Sequence, residues 1–358
     1  MTNSNNNNTI ITTAPTWFTN VIENLNYQDY FINVKNCNIH YQLFSPKQND
    51  KQQQQEEVDK GKPGIVLIHG GGAHSRWWDW IAPFFQEDGH IVACIDLSGQ
   101  GESGPREDSY SMNMNAIEVA AVANALLHRH GASKVRKPIL IGHSFGGWVA
   151  LVAGALHGNE LLGGIITLDS AIYPTTLERT DGPPPQSRKR KPGTKTIEDL
   201  KKRFRLMPPQ PVVNQYLMDY IFPLSIKQND DGSYRWKDDP NRMGKTRFSG
   251  LKIGEILNDE NRKIMNEISS KRLRNMKTKR VAILYGELSN HSIPEVLEHM
   301  RSEANKFIAP GTPIVPIINS HHHVMFDQPL QVITSIRAIL SEWERHDNNI
   351  IRKIQSKM

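Results

Sequence analysis

The sequence predicts an α/β fold in which a mainly parallel central sheet carries helices on both faces and a mostly helical cap is inserted late in the chain. From residue 64 to residue 169, short runs of apolar residues alternate with stretches of helical length. This alternation breaks between residues 174 and 275 and resumes at residue 280. Alternating strands and helices are typical of parallel sheets covered on both faces, and a long interruption between two buried strands indicates a cap.

Composition narrows the classes of protein that the chain can belong to. Its 358 residues allow one large domain or two ordinary ones, since a domain takes about 100 to 200 residues. The mean hydropathy is −0.52, no apolar run approaches the ~18 residues of a membrane span, and the asparagine-rich N-terminus lacks a signal-peptide pattern. Two cysteines, Cys37 and Cys94, fit a reducing compartment. We expect a cytoplasmic protein without a membrane span.

The chain is basic, with a formal net charge of +6 and an isoelectric point near 9.1. Part of the excess of positive charge comes from one local run within "PPPQSRKRKPGTK", namely Arg188, Lys189, Arg190 and Lys191. Such a run can serve nuclear import or nucleic-acid binding, but between prolines a solvated loop is the favoured interpretation. No zinc-finger spacing, phosphate loop or RNA-binding motif accompanies it. The sequence therefore predicts no nucleic-acid partner, and it leaves the oligomeric state open.

The elements before the cap follow in a regular order. Residues 1–25 are predicted to be a disordered leader, and the alternating pattern of 28–44 predicts two antiparallel strands. The polar, glutamine-rich segment 47–63 buries too little apolar surface to fold and predicts a solvated loop. Buried strands are then predicted at 64–70, 90–97, 138–142 and 164–169. Helices are predicted between them at 77–87, 113–130 and 148–156.

After the sixth strand the composition changes. Residues 174–275 are rich in proline and charge and form the predicted cap, with helix-like pieces at 197–206 and 212–222. The core comprises 26–173 and 276–358, in which the pattern resumes. Its later elements are strands at 280–287 and 313–319 and helices near 294–307 and 330–345.

The stretch "LIGHSFGGWVA" places Ser144 between an apolar strand and an apolar helix. Gly142 and Gly146 flank the serine at two residues on either side. A nucleophile held at such a joint projects from the top of the sheet, and the glycines remove Cβ atoms that would collide with neighbouring chain. The pattern therefore indicates a catalytic serine, although small residues also surround serines in ordinary turns.

Candidate partners for Ser144 follow other predicted strands. "HGGG" follows the third strand, Asp169 follows the sixth and His322 follows the last. Because the carboxyl ends of parallel strands meet at one edge of the sheet, these groups should lie together. They supply a nucleophile, an acid and a base in the chain order serine, carboxylate, histidine.

In these motifs the chain resembles the α/β-hydrolase fold family. The matching pieces are "IHGGGA", "DLSGQGESG", "GHSFGG" and "HHHVMFDQP", and the resemblance covers about residues 28–345. It implies that Ser144 is the nucleophile and that His322, spaced from Asp327 and Pro329 as in the family's histidine segment, is the base. It also implies a cap after the sixth strand.

The acid of the triad departs from the family's common pattern. Family members often supply it as Gly-x-x-Asp after the seventh strand, but counting from Gly286 places Ser289 there. Two carboxylates remain, Asp169 and Glu287. We favour Asp169, because some family members place the acid after the sixth strand and "GIITLDSA" resembles those segments. An aspartate at a strand end also commonly caps a turn.

The remaining site residues follow from the chemistry. A neutral imidazole must take the serine proton, a carboxylate must hold the imidazole, and backbone donors must stabilise the oxyanion. The expected donors are the N–H groups of Gly71 and Phe145. We expect no cofactor and no metal, since the adjacent histidines 321–323 diverge and no ligand spacing accompanies them. We expect apolar contacts in the acyl pocket from the cap residues Leu217, Tyr220 and Phe222. Three tryptophans could also line that pocket, but a place in the core is the favoured interpretation for them: Trp77, Trp78 and Trp80.

These observations predict a serine hydrolase that acts on a small-molecule ester, thioester or related carbonyl compound through an acyl-enzyme. A carbon–carbon bond hydrolase or lyase stays open, because a fold does not fix the reaction. A non-catalytic, ligand-binding member of the fold also stays open, because the acid is absent from its usual position.

Overall fold

A computed structural model of the chain describes residues 14–46, 61–107, 110–133, 136–173, 194–239, 246–248, 251–252 and 280–355. Residues 1–13 of the predicted leader, 47–60 of the predicted loop and the basic run at 188–191 lie outside the described residues. Much of the predicted cap does so as well, and its division from the core stays a prediction.

An eight-stranded sheet forms the centre of the molecule. We label its strands β1 to β8 in chain order: Gln28–Val34, Cys37–Phe44, Ile65–Ile68, Val92–Ile95, Ile139–His143, Gly164–Leu168, Val281–Gly286 and Ile314–Ile317. Their spatial order is β1-β2-β4-β3-β5-β6-β7-β8. β2 is antiparallel to both of its neighbours, and every pairing from β4 to β8 is parallel. The predicted mainly parallel sheet is therefore confirmed.

The central strands are buried on both faces, as their continuous apolar runs predict. In the register of β3 and β5, Ile65 pairs with Ile139 and Leu67 pairs with Ile141. Two apolar clusters cover the faces. The helices are α1 Thr16–Glu23, α2 Ala82–Glu87, α3 Met112–His128, α4 Phe145–Leu161, α5 Ile197–Lys201, α6 Gln215–Leu224, α7 Pro294–Phe307, α8 Val324–Asp327 and α9 Pro329–Gln355. Helices α3, α4 and α7 pack on one face, and α1, α2, α6, α8 and α9 contribute to the other.

The prediction of a disordered leader is wrong for its last part. Residues 16–23 form α1, whose Phe18 is 1% exposed. The Phe18 ring lies 6.5 Å from the ring of Trp80 and 4.9 Å from that of Tyr216. The helix is short and has no side-chain cap at its N-terminus, so tertiary contact stabilises it and local sequence does not signal it.

Helices in and near the cap are shorter than predicted, and strands accompany them. The predicted helix at 197–206 ends at Lys201, and the one at 77–87 divides into a 3₁₀ turn, Ser75–Trp78, and α2. Short strands at Ile226–Gln228 and Tyr234–Trp236 form a hairpin within the cap region. Two more strands, Thr246–Phe248 and Leu251–Lys252, pair with each other. The described part of the cap is thus mixed and not mostly helical.

A buried charged group lies at the antiparallel edge of the sheet. The His40 ring nitrogens lie 2.7 Å from Asp96 Oδ2 and 3.0 Å from Asp29 Oδ1. Burial alone would lower the pKa of His40, but the two carboxylates raise it to about 9. Asp96 also accepts hydrogen bonds from the backbone N–H groups of Ser75 and Glu102. The ion pairs therefore fasten the loops after β3 and β4 to β2.

Candidate active site

Ser144 lies at a tight joint between β5 and α4, at the carboxyl edge of the sheet. Its φ of 52° and ψ of −117° put a non-glycine residue in a sparsely populated region of backbone space, at a cost of about 1–3 kcal/mol. The Ser144 N–H donates to the carbonyl oxygen of Leu168 on β6 at 2.9 Å. This bond ties the joint to the neighbouring strand, so the hydroxyl has a defined direction.

The flanking glycines are required by close approach of the backbone. A Cβ on Gly142 would collide with the carbonyl group of Gly146, and a Cβ on Gly146 would collide with the carbonyl oxygens of Ile68 and His69. Neither obstacle is a flexible side-chain end. The spacing of Gly142 and Gly146 around Ser144 therefore has the steric cause expected from the sequence.

The imidazole of His322 lies directly beside the serine. His322 follows β8 in the loop before α8, and its Nε2 is 2.9 Å from Ser144 Oγ. Its Nδ1 is 2.6 Å from Asp169 Oδ2. Serine, imidazole and carboxylate thus form one continuous chain of hydrogen bonds, in the order that a serine triad requires.

Asp169 is buried, and several donors hold its carboxylate. The backbone N–H of Gly286 donates to Oδ1 at 2.9 Å, and the hydroxyl of Ser292 donates to the same oxygen at 3.2 Å. The hydroxyl of Ser289 donates to Oδ2 at 2.6 Å. Burial alone would raise the pKa of Asp169, but the hydrogen bonds from His322, Ser289 and Gly286, together with the nearby imidazole, lower it. The group is therefore ionised at neutral pH.

The alternative acid, Glu287, lies elsewhere. It is exposed at the end of β7, and its Oε2 accepts from the backbone N–H of Asn319 at 2.9 Å. The structure brings Asp169 to His322 and leaves Glu287 at the surface. Ser289, which stands where the family commonly has its acid, donates to the carboxylate of Asp169, which follows β6.

The two predicted oxyanion donors lie beside each other. A Cβ built on Gly71 would lie 3.8 Å from the Cβ of Phe145, the first residue of α4. His69 shapes the glycine loop, because its Nε2 accepts from the N–H of Leu97 at 3.1 Å and its Nδ1 donates to the carbonyl oxygen of Gly70 at 2.8 Å. The N-terminus of α4 directs unpaired N–H groups toward the same place. The arrangement provides backbone donors next to the serine.

The rings of His143 and His323 are among those that adjoin His322. The Nε2 of His143 lies 3.0 Å from the His322 carbonyl oxygen, and burial lowers the pKa of His143 to about 3. The neutral ring therefore donates from Nε2 and holds the His322 backbone. His323 lies with its Nε2 3.2 Å from the carbonyl oxygen of Met207, and burial lowers its pKa well below the usual range. Sequence reasoning missed both contacts, although the position of His143 next to Ser144 was a signal.

The three adjacent histidines have separate partners. The Nδ1 of His321 is 3.0 Å from Asp327 Oδ2, whereas His322 and His323 make the contacts described above. Among the described residues, no group of three histidine, cysteine or acidic side chains is arranged to hold a metal ion.

Comparison with known proteins identifies the family. A model of the alpha/beta hydrolase family matches residues 65–335. The chain belongs to the alpha/beta hydrolase family.

Relatives of this alpha/beta hydrolase include enzymes that act on esters. An esterase of Mycobacterium tuberculosis is 31% identical over 118 residues, which are 33% of this chain and 35% of the esterase. A monoacylglycerol lipase of Xenopus laevis is 29% identical over 124 residues, again 33% of this chain and 35% of the lipase. Each match thus spans about a third of the relative's length.

A comparison with solved structures shows the same fold. The structure of E-2-(acetamidomethylene)succinate hydrolase matches with a TM-score of 0.63 at 14% identity, over 88% of this chain and 100% of that one. At such identity the likeness shows the fold alone. Within the described residues of this alpha/beta hydrolase, no helix combines the length and apolar character that crossing a membrane requires.

The predicted pocket residues of the alpha/beta hydrolase divide between core and cavity. Trp78 and Trp80 are fully buried in the core, while Trp77 borders a cavity of about 300 Å³ that also reaches Gly71 and His323. That cavity lies between the glycine loop and the cap. Sequence alone could not assign the three tryptophans separately, because they stand within four residues of one another and differ only in their contacts in the folded chain.

The structure places the predicted acyl-pocket residues Leu217 and Tyr220 against the core, and neither borders the cavity that reaches Gly71. Leu217 is fully buried against the core. The Tyr220 hydroxyl donates to Asp79 Oδ2 at 2.6 Å and accepts from the Arg76 guanidinium at 3.0 Å. Phe222 borders a neighbouring cavity, and its ring lies 5.4 Å from the ring of Phe204. Helix α6 therefore anchors the cap to the core.

Proposed function

We propose that this alpha/beta hydrolase is a serine hydrolase that cleaves a small-molecule ester, thioester or related carbonyl compound through an acyl-enzyme. Ser144 is the nucleophile, His322 the general base and acid, and Asp169 the orienting acid. The observation that carries the proposal is the continuous hydrogen-bonded chain from Ser144 Oγ through the imidazole to Asp169.

The geometry supports one order of proton transfers. Nε2 of His322 takes the Ser144 proton as Oγ attacks the carbonyl carbon, and the resulting imidazolium is stabilised by Asp169. The backbone N–H groups of Gly71 and Phe145 donate to the oxyanion. The imidazolium then protonates the leaving group, which departs and leaves an ester on Ser144. A water molecule, deprotonated by His322, attacks this ester and releases the acid.

The named activities of relatives agree with carbonyl chemistry. Both the esterase and the monoacylglycerol lipase carry the names of ester-cleaving enzymes. In this proposal the glycine loop, the serine joint and the histidine loop supply the reacting groups, and residues of the predicted cap border the cavity that reaches Gly71.

The non-catalytic alternative depended on the absence of an acid from its usual position. The 2.6 Å distance from Asp169 Oδ2 to the imidazole Nδ1 supports a complete triad over a binding protein. No contact within the described residues favours carbon–carbon cleavage over ester cleavage.

Turnover of p-nitrophenyl butyrate tests the proposal. We expect hydrolysis by the wild-type protein and loss of at least about 10³-fold in kcat for Ser144→Ala, because the nucleophile is removed. Ser341→Ala, which removes an exposed hydroxyl on α9, is the matched control and retains wild-type activity. Equal hydrolysis by wild type and Ser144→Ala would reject the proposal.

A further inference from the structure

A cationic segment of the cap borders the cavity beside the candidate oxyanion donors. The segment has the sequence "KKRFR" at residues 201–205 and carries four cations in five positions. Arg203 and Arg205 line the cavity of about 300 Å³, whose lining also includes Gly71 and Gly72. The two guanidinium groups and the glycine loop, which carries one candidate oxyanion donor, thus border the same cavity.

Neither guanidinium is neutralised by a described carboxylate. The Nε of Arg203 donates to the backbone carbonyl oxygen of Asp199 at 3.0 Å, a contact that leaves its charge uncompensated. Arg205 makes no hydrogen bond or ion pair with a described residue, and both side chains are exposed. By contrast Lys237, a third cation at the cavity, lies 2.5 Å from a carboxylate oxygen of Glu102. The unpaired cations at this cavity are therefore the two arginines.

The other polar groups of the cavity do not cancel this charge. Asp238 supplies the single carboxylate among the described lining residues, and it is buried. His74 lies with its Nε2 2.8 Å from Ser225 Oγ, and burial lowers its pKa to about 3. His323 is likewise neutral. Two guanidinium groups thus stand against one carboxylate.

The cavity also has apolar walls. Phe204 stacks on Trp236 with ring centroids 5.7 Å apart, and Trp77 and Met207 complete this surface. A ligand that fits such a site combines an apolar body with an anionic group. Guanidinium groups bind carboxylates and phosphates well, because their planar forks match those oxygens.

From this juxtaposition we infer that the substrate carries a negatively charged group, which Arg203 and Arg205 bind while the carbonyl reaches Ser144. The inference rests on the proposed serine-hydrolase function and names its substrate class: an anionic ester or thioester. The anionic group can belong to the acyl part or to the leaving group, because the two guanidinium groups bind an anion on either part in the same way.

Two pairs of matched esters test the inference. The first pair compares p-nitrophenyl hemisuccinate, which carries a carboxylate on the acyl part, with the neutral p-nitrophenyl butyrate. The second pair compares 4-acetoxybenzoate, which carries a carboxylate on the leaving group, with the neutral 4-acetoxybenzamide. For each pair the measured quantity is the ratio of kcat/KM for the anionic ester to that for the neutral ester, with hydrolysis by Ser144→Ala subtracted as background.

We expect a ratio above one in at least one pair, which also assigns the side of the scissile bond. Arg203→Met or Arg205→Met lowers that ratio about three- to fivefold, and the double variant lowers it about tenfold. Raising NaCl from about 50 mM to about 500 mM lowers the wild-type ratio, since exposed charges are screened. Arg345→Met, on α9 and outside the cavity, leaves the ratio unchanged.

The outcomes separate the two proposals. Ser144-dependent hydrolysis with no anionic preference in either pair overturns the inference and leaves the serine-hydrolase function standing. A preference that persists in the double variant also overturns it, because another group then binds the anion. Absence of Ser144-dependent hydrolysis of all four esters rejects the function and the inference together.

Discussion

The substitution Asp169→Asn tests how the imidazole is held, and the structure specifies its consequence. Oδ1 of Asp169 accepts from the backbone N–H of Gly286 at 2.9 Å, and a backbone donor cannot become an acceptor. The asparagine oxygen therefore takes this position. Its NH₂ group then takes the place of Oδ2, which lies 2.6 Å from both His322 Nδ1 and Ser289 Oγ.

An amide NH₂ in that place donates to Nδ1 of His322. The imidazole proton must then reside on Nε2, which becomes a donor toward Ser144 and loses its ability to accept the serine proton. For a serine triad with the wrong tautomer the expected fall in kcat is ~10⁴-fold, equivalent to ~5 kcal/mol of transition-state stabilisation. The variant keeps the shape of the side chain, so we expect it to fold.

Initial rates on p-nitrophenyl butyrate and a thermal melt followed by circular dichroism check this prediction. Glu287→Gln is the matched control, since it makes the same carboxylate-to-amide change at an exposed residue whose acceptor oxygen the amide retains. We expect its kcat within about twofold of wild type. Nearly normal activity of Asp169→Asn together with a crippled Glu287→Gln would refute the assignment of the acid.

Further predictions concern the support of the acid, the ion pairs of His40 and the anchoring of the cap. Ser289→Ala removes one of the donors that lower the pKa of Asp169, so that pKa should rise and kcat on p-nitrophenyl butyrate should fall about tenfold. The pKa of His40 is raised from 6.5 to about 9, so its contribution of up to ~3 kcal/mol is complete below pH 6.5 and is lost as pH rises through 9. Urea unfolding of wild type and His40→Asn across this pH range should show that the free energy of unfolding falls with rising pH in the wild type alone. Leu217→Ala should lower the free energy of unfolding by about 2–5 kcal/mol in the same assay and leave the relative rates on short and long esters unchanged.

The fold was predictable because its signals are local. Apolar runs such as "IVLI" and "GIITL" identify buried strands without knowledge of their neighbours. The serine joint was predictable for the same reason, since Gly142 and Gly146 meet obstacles within one turn of chain or on the adjacent strand. Resemblance to the family supplied the pairing of Ser144 with His322.

Features that depend on distant chain were not predictable. Ser289 and Ser292 lie about 120 residues after Asp169, and no local pattern signals that their hydroxyls support its carboxylate. Helix α1 is stabilised by Phe18 against rings from the core and the cap, and its own sequence is too short to predict it. The direction of Tyr220 likewise follows from Asp79 and Arg76, which the sequence places far away.

Covalent labelling of Ser144 tests the central claim most directly. The folded protein is treated with a fluorophosphonate, and the modified residue is located by mass spectrometry of its peptides. We predict one adduct on Ser144, absent in Ser144→Ala and formed much more slowly in His322→Ala, because the base that activates the hydroxyl toward carbonyls also activates it toward phosphorus. An adduct on another residue, or unchanged labelling of the Ser144→Ala variant, would contradict the account.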